Sequence, residues 1–132
     1  HAYAQLIEGE KNMVRGNTAE AIKLFREAQA QVDTWLGRFA LGKACLEAKA
    51  YTDAYSEFEE CLKRHGEALA IFLNDVPSYH YFPPVHYYLG RAQEGLGSPA
   101  AAESYRTFLR IKEKGEGIDP LIEDARKRLK NL

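Results

Sequence analysis

An all-α chain built from stacked helix pairs is the fold this sequence predicts, and three observations predict it. Gly9, Ala21, Phe25 and Ala28 return 33 residues later as Gly42, Ala54, Phe58 and Cys61. A third copy, Gly90, Ala101, Tyr105 and Phe108, follows after a longer gap, 48 residues from glycine to glycine. Between these positions apolar residues recur at helical spacing, with Gly and Pro punctuation at the turns. Repetition at this period marks paired helices that stack, because no single pair can bury its own apolar face.

The first pair is expected over about 2–33. Tyr3, Leu6, Ile7, Met13 and Val14 line a helix over 2–15. Gly16-Asn17 breaks it, and Thr18 is placed to cap a second helix carrying Ala21, Ile22, Leu24, Phe25 and Ala28. The second pair, about 35–66, repeats the plan with Leu36, Phe39, Ala40, Leu41 and Leu46, then Ala54, Tyr55, Phe58, Cys61 and Leu62. Small residues such as Gly9, Ala21, Gly42 and Ala54 let the helices of a pair approach, and the aromatic four positions after each alanine fills the groove.

An insertion at about 67–82 interrupts the repeat. The apolar phase continues through Leu69, Phe72 and Leu73, so the fourth helix is expected to run on past Gly66. A mid-helix glycine costs only about 1 kcal/mol, which packing can offset. An aromatic loop over 75–82 follows, containing Tyr79, His80, Tyr81 and Phe82. Pro83-Pro84 then suits the first turn of a third pair, about 83–115, whose first helix should reach Gly95. Ser98-Pro99 reads as N-cap and N1 of the next helix, which Gly115 should end. Asp119-Pro120 opens a final helix over about 119–132, with Leu121, Ile122, Ala125 and Leu129 facing inward. Its charged outer face suits the exposed end of a stack.

At 132 residues the chain fits one domain. Its 28% charged and 45% apolar content is that of an ordinary globular protein. Eighteen basic residues against nineteen acidic leave a net charge of -1, without the basic surplus of a nucleic-acid binder. Arg126, Lys127, Arg128 and Lys130, with Glu123 and Asp124 beside them, read as the solvated face of the last helix. No apolar run approaches the ~20 residues that span a bilayer, so no membrane partner is expected. The chain begins at His1, which suggests a fragment or a processed product of a larger protein. Cys45 and Cys61 fall where the repeat wants small buried residues and read as core thiols. So few cysteines suit a reducing, cytoplasmic compartment.

These residues resemble the tetratricopeptide repeat, whose pattern places Leu-Gly in the first helix of a pair and Ala-x3-Phe in the second. The matches are Leu41-Gly42 with Ala54-x3-Phe58, and Leu89-Gly90 with Ala101-x3-Tyr105. The first copy keeps Gly9 and Ala21-x3-Phe25 but has Glu8 where Leu is usual. Asn12 and Cys45 replace the late aromatic of the first helix, and the third copy is one residue short between Gly and Ala. The stretch from Pro83 to Leu132 is also similar to tetratricopeptide regions attached to larger bacterial proteins, including some signalling kinases. The resemblance implies a right-handed α-solenoid of three helix pairs with an extended helix and loop insertion and a C-terminal capping helix.

It also implies a concave groove, lined by the first helix of each pair, that holds a peptide or partner domain. By alignment the groove positions are Tyr3, Leu6, Glu10 and Met13, then Leu36, Phe39, Lys43 and Leu46, then Tyr87, Arg91 and Glu94. Rings that anchor and a few charges that orient are what a peptide site needs. Some family members grip a C-terminal carboxylate with Lys, Asn, Asn, Lys and Arg. Here Leu6, Glu10, Lys43, Tyr87 and Arg91 stand at those positions, so that clamp is not expected, although Lys43 and Arg91 can grip an acidic side chain. The loop residues Tyr79, His80, Tyr81 and Phe82 form a second candidate contact, against the plainer reading of a cover over the repeat ends. His80 and His86 lack the supporting ligands a metal needs, and no cofactor is expected. No nucleophile elbow, phosphate loop, HExxH or CxxC pattern occurs, so the chain reads as a non-enzymatic interaction module. The alternative is a structural element that self-associates through exposed apolar helix faces.

Overall fold

The computed structural model describes residues 1–64, 77–113 and 119–132, with the side chains of 77–83 left out. The described residues form seven helices and no strand: α1 Ala2–Val14, α2 Thr18–Gln31, α3 Trp35–Glu47, α4 Tyr51–Lys63, α5 Pro77–Gly95, α6 Ala100–Lys112 and α7 Pro120–Lys130. Each helix packs most closely on its sequence partner, α1 on α2, α3 on α4 and α5 on α6. The pairs meet through α2 with α3 and α4 with α5, while α1 and α5 also touch α3. α7 lies on α6 and reaches α5.

The repeated residues make this arrangement. Ala21, Phe25, Ala28, Ala54, Phe58, Cys61, Ala101, Tyr105 and Phe108 are all fully or almost fully buried. A Cβ added at Gly9 would sit 2.4 Å from the Phe25 ring. At Gly42 it would meet Phe58 at 2.7 Å, and at Gly90 Tyr105 at 2.8 Å. Each glycine is thus the seat of the aromatic ring from the facing helix. Trp35, Phe39, Phe58 and Tyr88 continue the packing, with Phe39 5.7 Å and Phe58 5.9 Å from Tyr88. Tyr88 lies against both a larger core under α2–α5 and a smaller one of Tyr87, Ala101, Tyr105, Phe108 and Ala125.

The first helix of every pair ends in the same way. Gly16, Lys49 and Gly97 all take positive φ, at 81°, 62° and 70°. The next residue's N–H then reaches back five positions: Asn17 to the Asn12 carbonyl, Ala50 to Cys45 and Ser98 to Gln93. These are the closing hydrogen bonds of a Schellman cap. Only the middle copy uses a residue with a Cβ, which disfavours the left-handed region. Lys49→Gly is therefore expected to stabilise the fold by about 1 kcal/mol, read as a raised urea midpoint at unchanged m-value.

Several local expectations change. Asn17, not Thr18, occupies the cap position of α2; its side chain donates to Asn12 Oδ1 instead of capping. α4 spans Tyr51–Lys63, with Arg64 N–H closing onto the Glu60 carbonyl and its guanidinium turned to Asp33. The predicted continuation through Leu69, Phe72 and Leu73 lies outside the described residues. The third pair does not begin at Pro83-Pro84, because the backbone is already helical from Pro77, which is itself suited to a first-turn position. Residues 77–82 therefore belong to α5 and not to a loop. The Asp119 signal holds, since its side chain caps the last helix by accepting from Leu121 N–H at 2.9 Å. Pro99, not Ser98, takes the cap position of α6, which starts one residue later than expected, at Ala100, although Ser98 Oγ still accepts from Ala100 N–H at 3.2 Å.

A charged cluster ties the α2–α3 turn to the end of α4. Arg38 donates to both Asp33 carboxylate oxygens at 2.8 Å, and Arg64 donates to Oδ1 at 2.6 Å. The Arg38 hydrogen bonds, aided by Arg64, lower the Asp33 carboxyl from 3.8 to about 2. A carboxyl held below its unfolded value stabilises the fold above that value and loses the contribution as pH falls through the folded one. The Asp33 share should thus vanish between about pH 4 and pH 2, so Asp33→Asn should show a smaller drop in melting temperature than the parent between about pH 5 and pH 2.5.

Candidate functional site

The row of α1, α3, α5 and α7 walls a groove of about 300 Å³. Glu10 and Met13 come from α1; Ala40, Lys43, Leu46 and Glu47 from α3; Tyr87, Tyr88 and Arg91 from α5; and Leu121 from α7. Phe25 of α2 backs it. Helical spacing explains the selection, since Ala40, Lys43 and Glu47 fall three and four residues apart on one face of α3.

Six of the eleven aligned groove positions come together here: Glu10, Met13, Lys43, Leu46, Tyr87 and Arg91. Five do not line it. Tyr3 is 77% exposed near the start of α1, and Leu6, one turn before Glu10, packs partly against the core. Phe39 is only 4% exposed and stacks on Trp35 at 5.5 Å. Helical side chains lean toward the N-terminus, so Phe39 slips beneath the lining while Lys43 Nζ rests 4.7 Å above its ring. Glu94 turns toward α6 and α7, accepting from Tyr105 Oη at 2.8 Å and from Arg128 at 3.0 Å. Leu36, the fifth, is partly exposed and also outside the lining.

The charges of the groove are not neutralised by one another. Among the described residues, Lys43, Arg91, Glu10 and Glu47 form no salt bridge. Lys43 rests over Phe39, a cation–π contact that orients the ammonium without cancelling its charge. Arg91 lies over the Tyr87 ring at 6.0 Å and donates to Tyr87 Oη at 3.2 Å. The groove thus offers apolar walls, two cations and two carboxylates to anything entering it.

Behind Arg91 runs a hydrogen-bonded chain to α7. Tyr87 Oη donates to Asp124, which also accepts from Arg128 Nε at 2.6 Å. Burial, reinforced by the Asp124 carboxylate, pushes the Tyr87 hydroxyl up, so it remains a donor at neutral pH. Against the opposing effect of burial, hydrogen bonds from Tyr87 and Arg128 hold Asp124 below the usual carboxylate range. Asp124 and Arg128 are accordingly not part of a purely solvated face; Glu123, Arg126, Lys127 and Lys130 are exposed.

Sequence reasoning missed Glu47, Tyr88, Leu121 and Asp124 as groove or groove-supporting residues. Glu47 follows Lys43 by one helical turn, and Tyr88 adjoins Tyr87, so both had a signal. Asp124 had none, because its partner lies 37 residues away on another helix. The side chains of Tyr79, His80, Tyr81 and Phe82 lie outside the described residues. Cys45 and Cys61 are buried thiols, and burial pushes Cys61 up to about 12. Among the described residues no group of three or more His, Cys, Asp or Glu is placed to hold a metal ion, and no helix is long and apolar enough to cross a membrane. Comparison with protein-family models, curated proteins and solved structures finds no match.

Proposed function

We propose that this chain is a non-enzymatic protein-interaction module, a right-handed solenoid of three tetratricopeptide-like pairs that binds a peptide or partner domain in the groove. The observation carrying this reading is the groove itself, where Met13, Leu46, Tyr87 and Leu121 supply apolar surface beside the cations Lys43 and Arg91. Repetition of the glycine-on-ring contact at Gly9, Gly42 and Gly90 supports the solenoid. Lys43 and Arg91 favour a ligand with an acidic side chain among apolar ones, while Glu10 and Glu47 disfavour a polyanion.

A peptide array scored with the protein tests this directly. Lys43→Glu/Arg91→Glu is expected to weaken the selected acidic peptides at least about tenfold, as loss of two charge-assisted contacts should. Peptides that bind the double variant as well as the parent would sink the reading. Self-association is the second reading, favoured by exposed Tyr3, Ile7 and Val14 along α1. Sedimentation at several concentrations separates the two, since a strict monomer excludes it.

A further inference from the structure

We infer that Tyr87 and Asp124 are positioning residues for Arg91, so that the terminal helix α7 sets the orientation of a groove cation through the Tyr87 hydroxyl. The inference rests on the groove being a binding site, and deepens that reading by assigning its control to α7. Its basis is the chain of contacts from Arg91 Nη1 to Tyr87 Oη at 3.2 Å, then from Tyr87 Oη to the Asp124 carboxylate. Arg91 makes no salt bridge to Asp124. A hydroxyl that donates to a carboxylate becomes a better acceptor, so the Asp124 charge strengthens the hold of Tyr87 on Arg91.

Asp124 is itself fixed. Arg128 donates to it at 2.6 Å and to Glu94 at 3.0 Å, and Glu94 accepts from Tyr105 at 2.8 Å. The relay therefore joins the groove wall to the ring that fills the third pair. α7 buries Ala125 fully, with Leu121, Ile122 and Leu129 partly buried against α5 and α6. Leu121 also lines the groove, so the same helix supplies one wall residue and the anchor for another. An arginine held in place loses less freedom when a ligand carboxylate arrives, which is how the relay acts on binding.

The test is a thermodynamic cycle that needs no ligand. Urea unfolding is measured for the parent, Arg91→Ala, Asp124→Asn and the double variant, and again with all four in a Tyr87→Phe background. Tyr87→Phe keeps the ring and removes only the hydroxyl. We expect Arg91 and Asp124 to be coupled by roughly threefold or more in the unfolding constant, and the coupling to disappear with the hydroxyl. Additive effects in the parent, or coupling that survives Tyr87→Phe through space, would overturn the relay. A glutamate-containing apolar peptide serves as the binding probe, and Tyr87→Phe should weaken it several-fold. Unchanged probe affinity would refute control of binding by α7. Failure of the probe to bind the parent would refute the peptide-binding reading, while the cycle still decides the relay by itself.

Discussion

Phe58→Ala is expected to destabilise the fold by about 3–5 kcal/mol, a large part of the ~5–15 kcal/mol that holds a domain of this kind together. Phe58 is fully buried on Gly42, with Phe39 at 6.1 Å and Tyr88 at 5.9 Å. Its ring fills the seam inside the middle pair and the seam between that pair and the next. Truncation opens a cavity that neither neighbour can close, because Gly42 has no side chain and Phe39 is pinned by Trp35. Urea unfolding followed by circular dichroism measures the loss. A cost below about 2 kcal/mol would mean that the seam collapses, and that the ring is not the wedge between pairs. Phe58→Leu should recover much of the loss, as volume-conserving swaps do.

Trp35→Ala should cost about 3–5 kcal/mol, and Trp35→Phe about 1–2 kcal/mol. The two substitutions separate packing from hydrogen bonding. Trp35 begins α3, is 2% exposed, and donates from Nε1 to the Cys61 carbonyl at 2.9 Å. The Thr34 hydroxyl beside it accepts from Gly37 N–H, so the first turn of α3 is capped and anchored together. Phenylalanine keeps most of the buried area and removes the donor. Alanine also leaves a cavity between Phe39 and α4. Equal losses in the two variants would show that the indole N–H, and not the ring, fastens α3 to α4.

The helices most legible in the sequence are those whose contacts repeat. Gly9, Gly42 and Gly90, with the rings they seat, announce α1 to α6, because the packing constraint recurs and each copy corroborates the others. Where the repetition lapses, local signals compete. Pro77 and Pro83-Pro84 all qualify as helix starts, and sequence alone offers no reason to prefer the first. Arg64 at the C-cap of α4 reaches Asp33, a contact across 31 residues that periodicity does not encode. The groove was legible to the extent that helical spacing predicts a face. It failed at Phe39, where the side chain leans beneath its neighbour, and at Glu94, where distant Arg128 captures the carboxylate. The Asp124–Tyr87 contact left no trace because it is a single polar meeting between helices far apart in the chain.

The placement of Trp35 has an experimental consequence. It is the one tryptophan of the chain, and Cys45 and Cys61 are its two thiols. All three lie in α3 and α4, with the Cys61 sulfur 4.0 Å from the Trp35 carbonyl oxygen. Indole emission and thiol labelling therefore both report from the centre of the stack. A molecule that frayed at α1 or released α7 would keep its native emission and its protected thiols until the middle pair opened. Backbone probes such as amide exchange see the ends, so disagreement between the two kinds of signal would measure how far unfolding travels as a front along the stack instead of striking it all at once.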